Sequence, residues 1–295
     1  MPTAVVTGAL GRIGRWTVEE FADAGYDVVA LDRERPDGGR DGVHFYQADL
    51  TDQGQTWELV TGAEPDVVAH LAAIPAMGVT SGTETFLNNV ECAYNVLVAA
   101  GEAGADVAWT SSECIYGMVF ADETWLPEYL PVDEAHPLRP EDPYGTSKEA
   151  GEAVARMVAR DYGVAVSSVR PSWTQVPGEY YTREAREAFD PADADELNFD
   201  YWSYVDARDV ASMLRLAVEE RESGHEAYGA VADENYLDRP TAEVIEQVAG
   251  ELPEECDLSG DESAFTTEKA TRDLGWEPAH SWRTAEDEEP PELPF

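Results

Sequence analysis

Tyr144 and Lys148 stand four residues apart in YGTSK, and the stretch that follows, EAGEAVARMVARDYG, has the periodicity of a helix. At that spacing two side chains share one helix face. A phenol with an ordinary pKa of about 10 is a poor proton-transfer group near neutrality. A neighbouring ammonium favours the phenolate and brings it toward working pH, which is general acid and base chemistry. YxxxK arises often by chance, but Lys148 is one of only two lysines in the chain, Lys269 being the other. A hydroxyl partner is expected at the end of a neighbouring strand, where open parallel sheets place their ligands. Val107 to Thr110 leads into SSECIYG, which offers Ser111, Ser112, Glu113 and Cys114. Ser112 is the expected third member, hydrogen-bonded to the reacting oxygen.

Such a centre needs a redox partner, and the other end of the chain offers a place for one. TGALGRIG sets Gly8, Gly11 and Gly14 three residues apart, with Leu10, Arg12 and Ile13 between them, after one apolar run and before a helical stretch. Glycines there let the backbone turn sharply and approach a pyrophosphate, whose charge the helix N-terminus stabilises. Asp32 ends the second apolar run, about twenty residues on, where a carboxylate binds the adenosine ribose hydroxyls and favours NAD. Arg12, Arg33, Arg35 and Arg40 lie close by, in a chain poor in basic residues. An arginine there binds a ribose 2′-phosphate and favours NADP. The choice between NAD and NADP stays open at this point.

The elements that must position these groups alternate. Ala4 to Thr7, Asp27 to Leu31, Val43 to Tyr46, Asp66 to Leu71, Val107 to Thr110 and Val164 to Val169 read as buried strands, and Arg12 to Ala24 and Phe86 to Ala103 as crossover helices. The expected fold is α/β, a Rossmann-like doubly wound parallel sheet with a small C-terminal substrate lobe. A helix capped by Asp206 and running through Leu216, a strand from Glu226 to Val231, and helices at Thr241 to Ala249 and Thr266 to Leu274 follow. Residues 1–170, with 201–232 returning to them, form the expected dinucleotide-binding domain. Residues 171–200 and 233–284 form the lobe, and 285–295 an acidic, proline-rich loose tail.

In this order, TGALGRIG, Asp32, QADLTD, PDVVAHLAA, LNNV, SSECIYG, YGTSK, RPSW, YVDARDVA and LGWEP resemble the extended short-chain dehydrogenase/reductases of the sugar epimerase, dehydratase and dehydrogenase group. The GxxGxxG spacing agrees with that resemblance. It implies that Asp49 and Leu50 flank the adenine and that Leu71, Ala72 and Ala73 line the cofactor. It further implies that Ser112, Tyr144 and Lys148 are the catalytic Ser, Tyr and Lys, and that Pro171, Ser172 and Trp173 fall near the nicotinamide. The departures narrow the substrate. RPSWTQVPGEYYTREAREAF replaces the usual NVYGP-like stretch, and the short lobe offers few cations, Arg183, Arg186 and Arg239 among them, for a nucleotide diphosphate. Glu113 supplies half of the dehydratases' Asp-Glu pair, with Cys114 in the other place. Similarity to the smaller uronate dehydrogenase and aldose 1-dehydrogenases implies oxidation of C1 of a cyclic sugar to a lactone. Asn89, Glu113, Cys114, Trp173 and Tyr180 are then expected at the sugar beside Ser112 and Tyr144, and a neutral pentose or hexose such as L-arabinose is the expected substrate. The alternatives are a nucleotide-sugar 4-epimerase or dehydratase, and a non-catalytic dinucleotide-binding regulator, which would have lost the Tyr or the Lys. Relatives often pair into homodimers through the YxxxK helix.

Composition bounds the rest. The 295 residues carry 61 acidic and 19 basic side chains, a net charge of −42. Such a surface repels nucleic acid and anionic membranes. There is no run of about eighteen uncharged apolar residues and no basic segment ahead of an apolar one, so a cytoplasmic protein is expected. Cys92, Cys114 and Cys256 are too few and too scattered for a disulfide framework or a metal cluster. So acidic and lysine-poor a composition is that of a halophilic protein, because at molar salt the Debye length of about 3 Å screens repulsion among surface carboxylates. Thermal unfolding should therefore shift upward between low-salt buffer and molar KCl; equal midpoints in the two would contradict salt adaptation.

Overall fold

The computed structural model describes residues 1–121, 125–191, 200–220 and 223–295. Seven strands form one parallel sheet: β1 (Thr3–Thr7), β2 (Asp27–Asp32), β3 (Val43–Gln47), β4 (Val67–His70), β5 (Asp106–Thr110), β7 (Ala165–Pro171) and β10 (Gly224–Ala230). Their order is β3-β2-β1-β4-β5-β7-β10. Winding runs outward from β1 in both directions, so the crevice lies beyond the carboxyl ends of β1 and β4, where the order reverses.

Alternate residues of the strands face opposite layers, as the two-residue period of a strand requires. Ala4, Val6, Val28 and Ala30 pack with Val18 and Phe21 of α1 (Gly14–Asp23) and with Met213 and Leu214 of α6 (Ala207–Glu219). Val5, Val68 and Val107 face the other way, toward α3 (Gly82–Ala103) and α4 (Pro143–Tyr162). Asp206 caps α6 through the Arg208 N–H, as the sequence leads one to expect. A further helix, α2 (Gln53–Gly62), is missing from the sequence reading; it buries only Thr56 and Val60 and so has little amphipathic signal, but Asp52 caps it.

The lobe has its own core around Tyr201, Trp202, Tyr204, Tyr236, Ile245 and Trp282. It carries α5 (Thr182–Ala188), α7 (Thr241–Ala249), α9 (Trp282–Ala285) and two short strand pairs, β6 (Tyr129–Leu130) with β11 (Glu255–Cys256) and β8 (Thr174–Gln175) with β9 (Val205–Asp206), whereas α8 (Glu268–Leu274) sinks Ala270 and Leu274 into the sheet core. Met118, Leu130 and Val132 pack into this core too, so the segment after SSECIYG serves the lobe rather than the sheet domain. No helix among the described residues is long and apolar enough to cross a membrane.

The expected loose tail is instead docked. Phe295 is buried in the sheet core beside Phe45, with ring centroids 4.9 Å apart, and Arg15 donates to its backbone oxygen. The tail runs so close to Gly178 and Gly38 that a β-carbon at either would lie 2.7 Å from Pro290 Cγ or 2.0 Å from the Pro294 oxygen. Polar composition suggested disorder; one aromatic ring and a row of ion pairs order it.

One contact sets how closely α4 lies on the sheet. A β-carbon at Gly151 would come within 2.5 Å of the Trp109 indole, which a 2.7 Å hydrogen bond to Ser168 holds still. Gly151→Ala gains up to about 1 kcal/mol of helix propensity, while overpacking a rigid core costs about 1–3 kcal/mol. We expect the variant to melt earlier and to turn over more slowly, because the same helix carries Tyr144 and Lys148; an unchanged melting midpoint by calorimetry would count against this packing.

Candidate active site

The glycine turn is built for close approaches. Gly8 has φ +65°, and a β-carbon there would sit 2.7 Å from the Ala72 nitrogen; at Gly14 one would sit 1.9 Å from the Gly8 oxygen. At Gly11 a β-carbon meets only the Gly8 oxygen, at 3.1 Å, so the outer side of the turn is open. The N-cap of α1, Ile13, supplies no side-chain hydrogen bond, and although the Arg15 N–H is taken by the Gly11 carbonyl at 3.2 Å, the positive end of the helix suits an anionic ligand. The Leu10 N–H donates to Asp32 Oδ2 at 2.9 Å, tying the turn to the end of β2. This donor set fits a dinucleotide, with Gly8 to Gly14 at the pyrophosphate and Asp32 at the adenosine ribose.

The four nearby arginines separate. Arg12 turns to the lobe, where it pairs with Glu179 at 3.0 Å and lies over the Tyr181 ring. Arg40 pairs with Glu19 and Asp23. Arg33 donates to Asn88 Oδ1 at 2.6 Å, 3.8 Å from Asp49, and Arg35 is exposed. Thr51 hydrogen bonds hold the Asp49 carboxyl below the usual range, while Leu50 is buried against the sheet's second layer. Leu71, Ala72 and Ala73 line the crevice half-buried, with the Leu71 N–H donating to Thr7 Oγ1 at 3.2 Å.

Ser112, Tyr144 and Lys148, the expected trio, converge at the carboxyl end of β5. Asp142 caps α4 by accepting from the Tyr144 and Gly145 N–H groups, both at 2.8 Å, so the helix begins where Tyr144 is needed. The Ser112 hydroxyl lies near enough to the Tyr144 phenol to favour its ionisation and accepts the Cys114 N–H at 3.2 Å. Lys148 Nζ donates to the Thr110 carbonyl at 2.8 Å and lies 5.5 Å from the Tyr144 and Trp109 ring centres. All three side chains are buried: Ser112 is 7%, Tyr144 8% and Lys148 4% exposed.

Burial governs the electrostatics, and it opposes what the spacing alone suggests. It pushes the Tyr144 phenol up, with Cys114, Asp142 and Glu113 adding to the effect and the Ser112 hydrogen bond resisting it. It pulls the Lys148 ammonium down to about 8 and, helped by the charge of Lys148, the His70 imidazole to about 3. His70, hydrogen-bonded to Thr7 Oγ1 at 2.7 Å, is therefore neutral. A bound oxidised nicotinamide would supply a hydride acceptor and a positive charge, the charge favouring the phenolate.

Behind the trio stands an ion pair to which the sequence reading assigns no role. Arg170 donates to both carboxylate oxygens of Glu152 at 2.8 Å, to the Tyr116 hydroxyl at 3.0 Å and to the Glu134 carbonyl at 3.2 Å. The Ser111 hydroxyl donates to Glu152 Oε1 at 2.9 Å. An arginine inside an otherwise apolar strand run was the available signal.

The expected sugar contacts divide. Glu113 and Cys114 lie beside Ser112 and Tyr144, and the Ser172 hydroxyl and the Trp173 backbone N–H face Glu113 just past the end of β7 at Pro171, while the Trp173 ring packs into the lobe core, 5.5 Å from the Tyr236 ring centre. Asn89 is used otherwise: its amide clamps the Ile74 N–H and carbonyl at 2.7 and 3.0 Å and reaches Ser147 Oγ at 3.3 Å. The Tyr180 hydroxyl is taken by Asp206 at 2.5 Å. Neither polar group is left for a sugar hydroxyl.

Burying Lys148 costs stability. With a folded pKa near 8 against 10.5 when exposed, the unfolded chain binds the extra proton between those values, so this group's contribution to stability rises with pH across that window. The penalty is fully present below pH 8 and amounts to about 3 kcal/mol. Lys148→Met should therefore be inactive yet more stable than the parent at pH 7 by about 1–3 kcal/mol, the lost Thr110 bond offsetting part. Denaturant melts should show the advantage shrinking from pH 8 to 10.5; a variant less stable at pH 7 would refute this account.

Residues 4–230 match the NAD dependent epimerase/dehydratase family. The chain is similar to a UDP-glucose 4-epimerase of Drosophila melanogaster, 32% identical over 57% of this chain and 52% of that protein. It is also similar to the L-arabinose 1-dehydrogenase (NAD(P)(+)) of Haloferax volcanii, 31% identical over 59% of this chain and 67% of that one. The alignment with the epimerase thus spans about half of that relative's length. Among solved structures, the fold is shared with UDP-glucose 4-epimerase of Thermotoga maritima (TM-score 0.70, 21% identity, 96% of both chains). It is shared likewise with a mutated uronate dehydrogenase (TM-score 0.68, 21% identity, 98% of this chain and 86% of that one). With the glycine turn, the Ser-Tyr-Lys cluster and a family match over most of its length, the chain belongs to the NAD dependent epimerase/dehydratase family.

Proposed function

We propose that this protein is a sugar dehydrogenase that oxidises C1 of a small unphosphorylated aldose, such as L-arabinose or a similar pentose or hexose, to the lactone. The observation that carries the reading is the state of the lobe's arginines. Arg239 stands exposed, but Arg183 pairs with Glu286 and Asp287, Arg186 with Glu286 while lying over Trp282, and Arg208, at the start of α6, with Asp206 and Glu288. A nucleotide diphosphate needs converging cations, and acids near the chain end have already neutralised these. The similarity to the Haloferax volcanii arabinose dehydrogenase supports the same reading.

In this mechanism Ser112 would hydrogen-bond the anomeric O1 and Tyr144, as phenolate, would take its proton as the C1–O1 double bond forms, and a bound oxidised nicotinamide would supply the acceptor for the hydride from C1. Lys148 holds the proton-transfer face and the cofactor ribose. NAD is the cofactor we assign, a reading supported by Asp32 beside the glycine turn and by the engagement of Arg12 with Glu179, of Arg33 with Asn88 and of Arg40 with Glu19 and Asp23.

The test is a panel of aldoses with NAD and NADP, read at the reduced-nicotinamide absorbance. Net reduction with at least one aldose is expected, faster with NAD. Tyr144→Phe should lower kcat by about 10²–10⁴-fold, the usual worth of a positioned acid or base, while cofactor binding persists. Absence of net reduction with every aldose would remove the proposal. The 4-epimerase reading, favoured by the relatives of that name, predicts interconversion of a UDP-hexose with no net reduced cofactor.

A further inference from the structure

β7 ends at Pro171, and by Glu179 the chain has reached the glycine turn that follows β1, as the 3.0 Å ion pair of Glu179 with Arg12 shows. In the sheet, β5 and β4 lie between β7 and β1. Three strand spacings amount to about 14 Å, so residues 172–179 cross the mouth of the crevice that lies beyond β4 and β1. The crossing finishes on a rigid mount. The Glu179 N–H donates to the Val176 carbonyl at 2.8 Å across Pro177 and Gly178, and Gly178 has φ +81°, the marks of a type II turn. Pro290 of the docked tail backs Gly178. Just beyond, the Tyr180 hydroxyl donates to buried Asp206 at 2.5 Å and the Tyr181 N–H to buried Gln175 at 2.8 Å. The other half of the contact is a long, flexible side chain: Arg12 is half-exposed, and its guanidinium lies 5.9 Å from the Tyr181 ring centre.

We propose that Arg12 and Glu179 form a clasp across the dinucleotide crevice, one that must open for a nicotinamide dinucleotide to enter or leave. Glu179 is the fixed seat and the Arg12 side chain the moving hook. An exposed ion pair is weak and an aromatic ring beside it adds little more, so the clasp retards exchange by a small factor rather than sealing the cofactor in. That suits an enzyme that releases a reduced cofactor in every turnover. A clasp that closes over an occupied and an unoccupied crevice alike slows entry and exit equally and leaves the dissociation constant unchanged. The inference depends on the glycine turn as the dinucleotide site and not on which sugar is oxidised.

The test is stopped-flow measurement of NADH association and release, read by energy transfer from tryptophan to the reduced nicotinamide, with no sugar present. Wild type is compared with Arg12→Gln, Glu179→Gln and the double variant. Each single variant should speed association and release alike, by about threefold to tenfold, and the double variant should be no faster than the singles, because all three break one contact. Opposite shifts of the association rate in the two single variants would mean that the side chains act as separate charges on the diphosphate, and would overturn the clasp. Rates equal to those of wild type, or effects that multiply in the double variant, overturn it as well. So does faster release at an unaltered association rate, the mark of a contact made to the bound form alone. NADH that does not bind removes the clasp together with the dinucleotide site, whereas failure to oxidise any aldose touches the sugar reading and leaves the clasp standing.

Discussion

The Glu152–Arg170 pair is the constraint on which the site depends. Glu152 belongs to the helix of Tyr144 and Lys148, Arg170 to the strand that leads to Trp173, and Ser111, bonded to Glu152, and Tyr116, bonded to Arg170, bracket Ser112 and Glu113 in the chain. Three separate chain segments are thereby held in one register at the point where a proton is to move. Both ions are buried, so neither is dispensable: an unpaired partner costs about 3–5 kcal/mol. The bidentate geometry serves direction as much as energy, since a planar guanidinium facing a carboxylate fixes the rotation of α4 against β7.

Around that pair the cleft is dry, and dryness decides the charges. Phenol, thiol and carboxyls are all pushed toward their neutral forms, as are the lysine and the histidine. A site that holds so little charge of its own responds strongly to whatever charge a ligand brings. Stability is given up at Lys148 and Glu113 for that responsiveness, a common exchange where function needs strained or desolvated groups.

Much of this was legible in the sequence, for physical reasons that differ by element. β1, β2, β4 and β5 are short buried runs of small and β-branched residues between turn signals, and such strands announce themselves. The spacing of Gly8, Gly11 and Gly14 and of Tyr144 and Lys148 reflects backbone and helix geometry, which local sequence encodes. Long-range pairing is not encoded locally. Asn89 looked like a sugar ligand until its amide was found clamping Ile74, and Arg12 like a phosphate ligand until Glu179, far along the chain, claimed it. The segment 285–295 misled through composition, since acidic and proline-rich text reads as disorder unless the arginines that receive it are known.

That docked segment joins the two halves of the molecule by unlike forces. At the lobe end Glu286, Asp287 and Glu288 grip Arg183, Arg186 and Arg208; at the sheet end the Phe295 ring is sunk beside Phe45. Concentrated salt screens the exposed ion pairs, whereas strongly excluded salts reinforce apolar burial. As ionic strength rises the grip therefore migrates along the strap, from the charged end to the aromatic one.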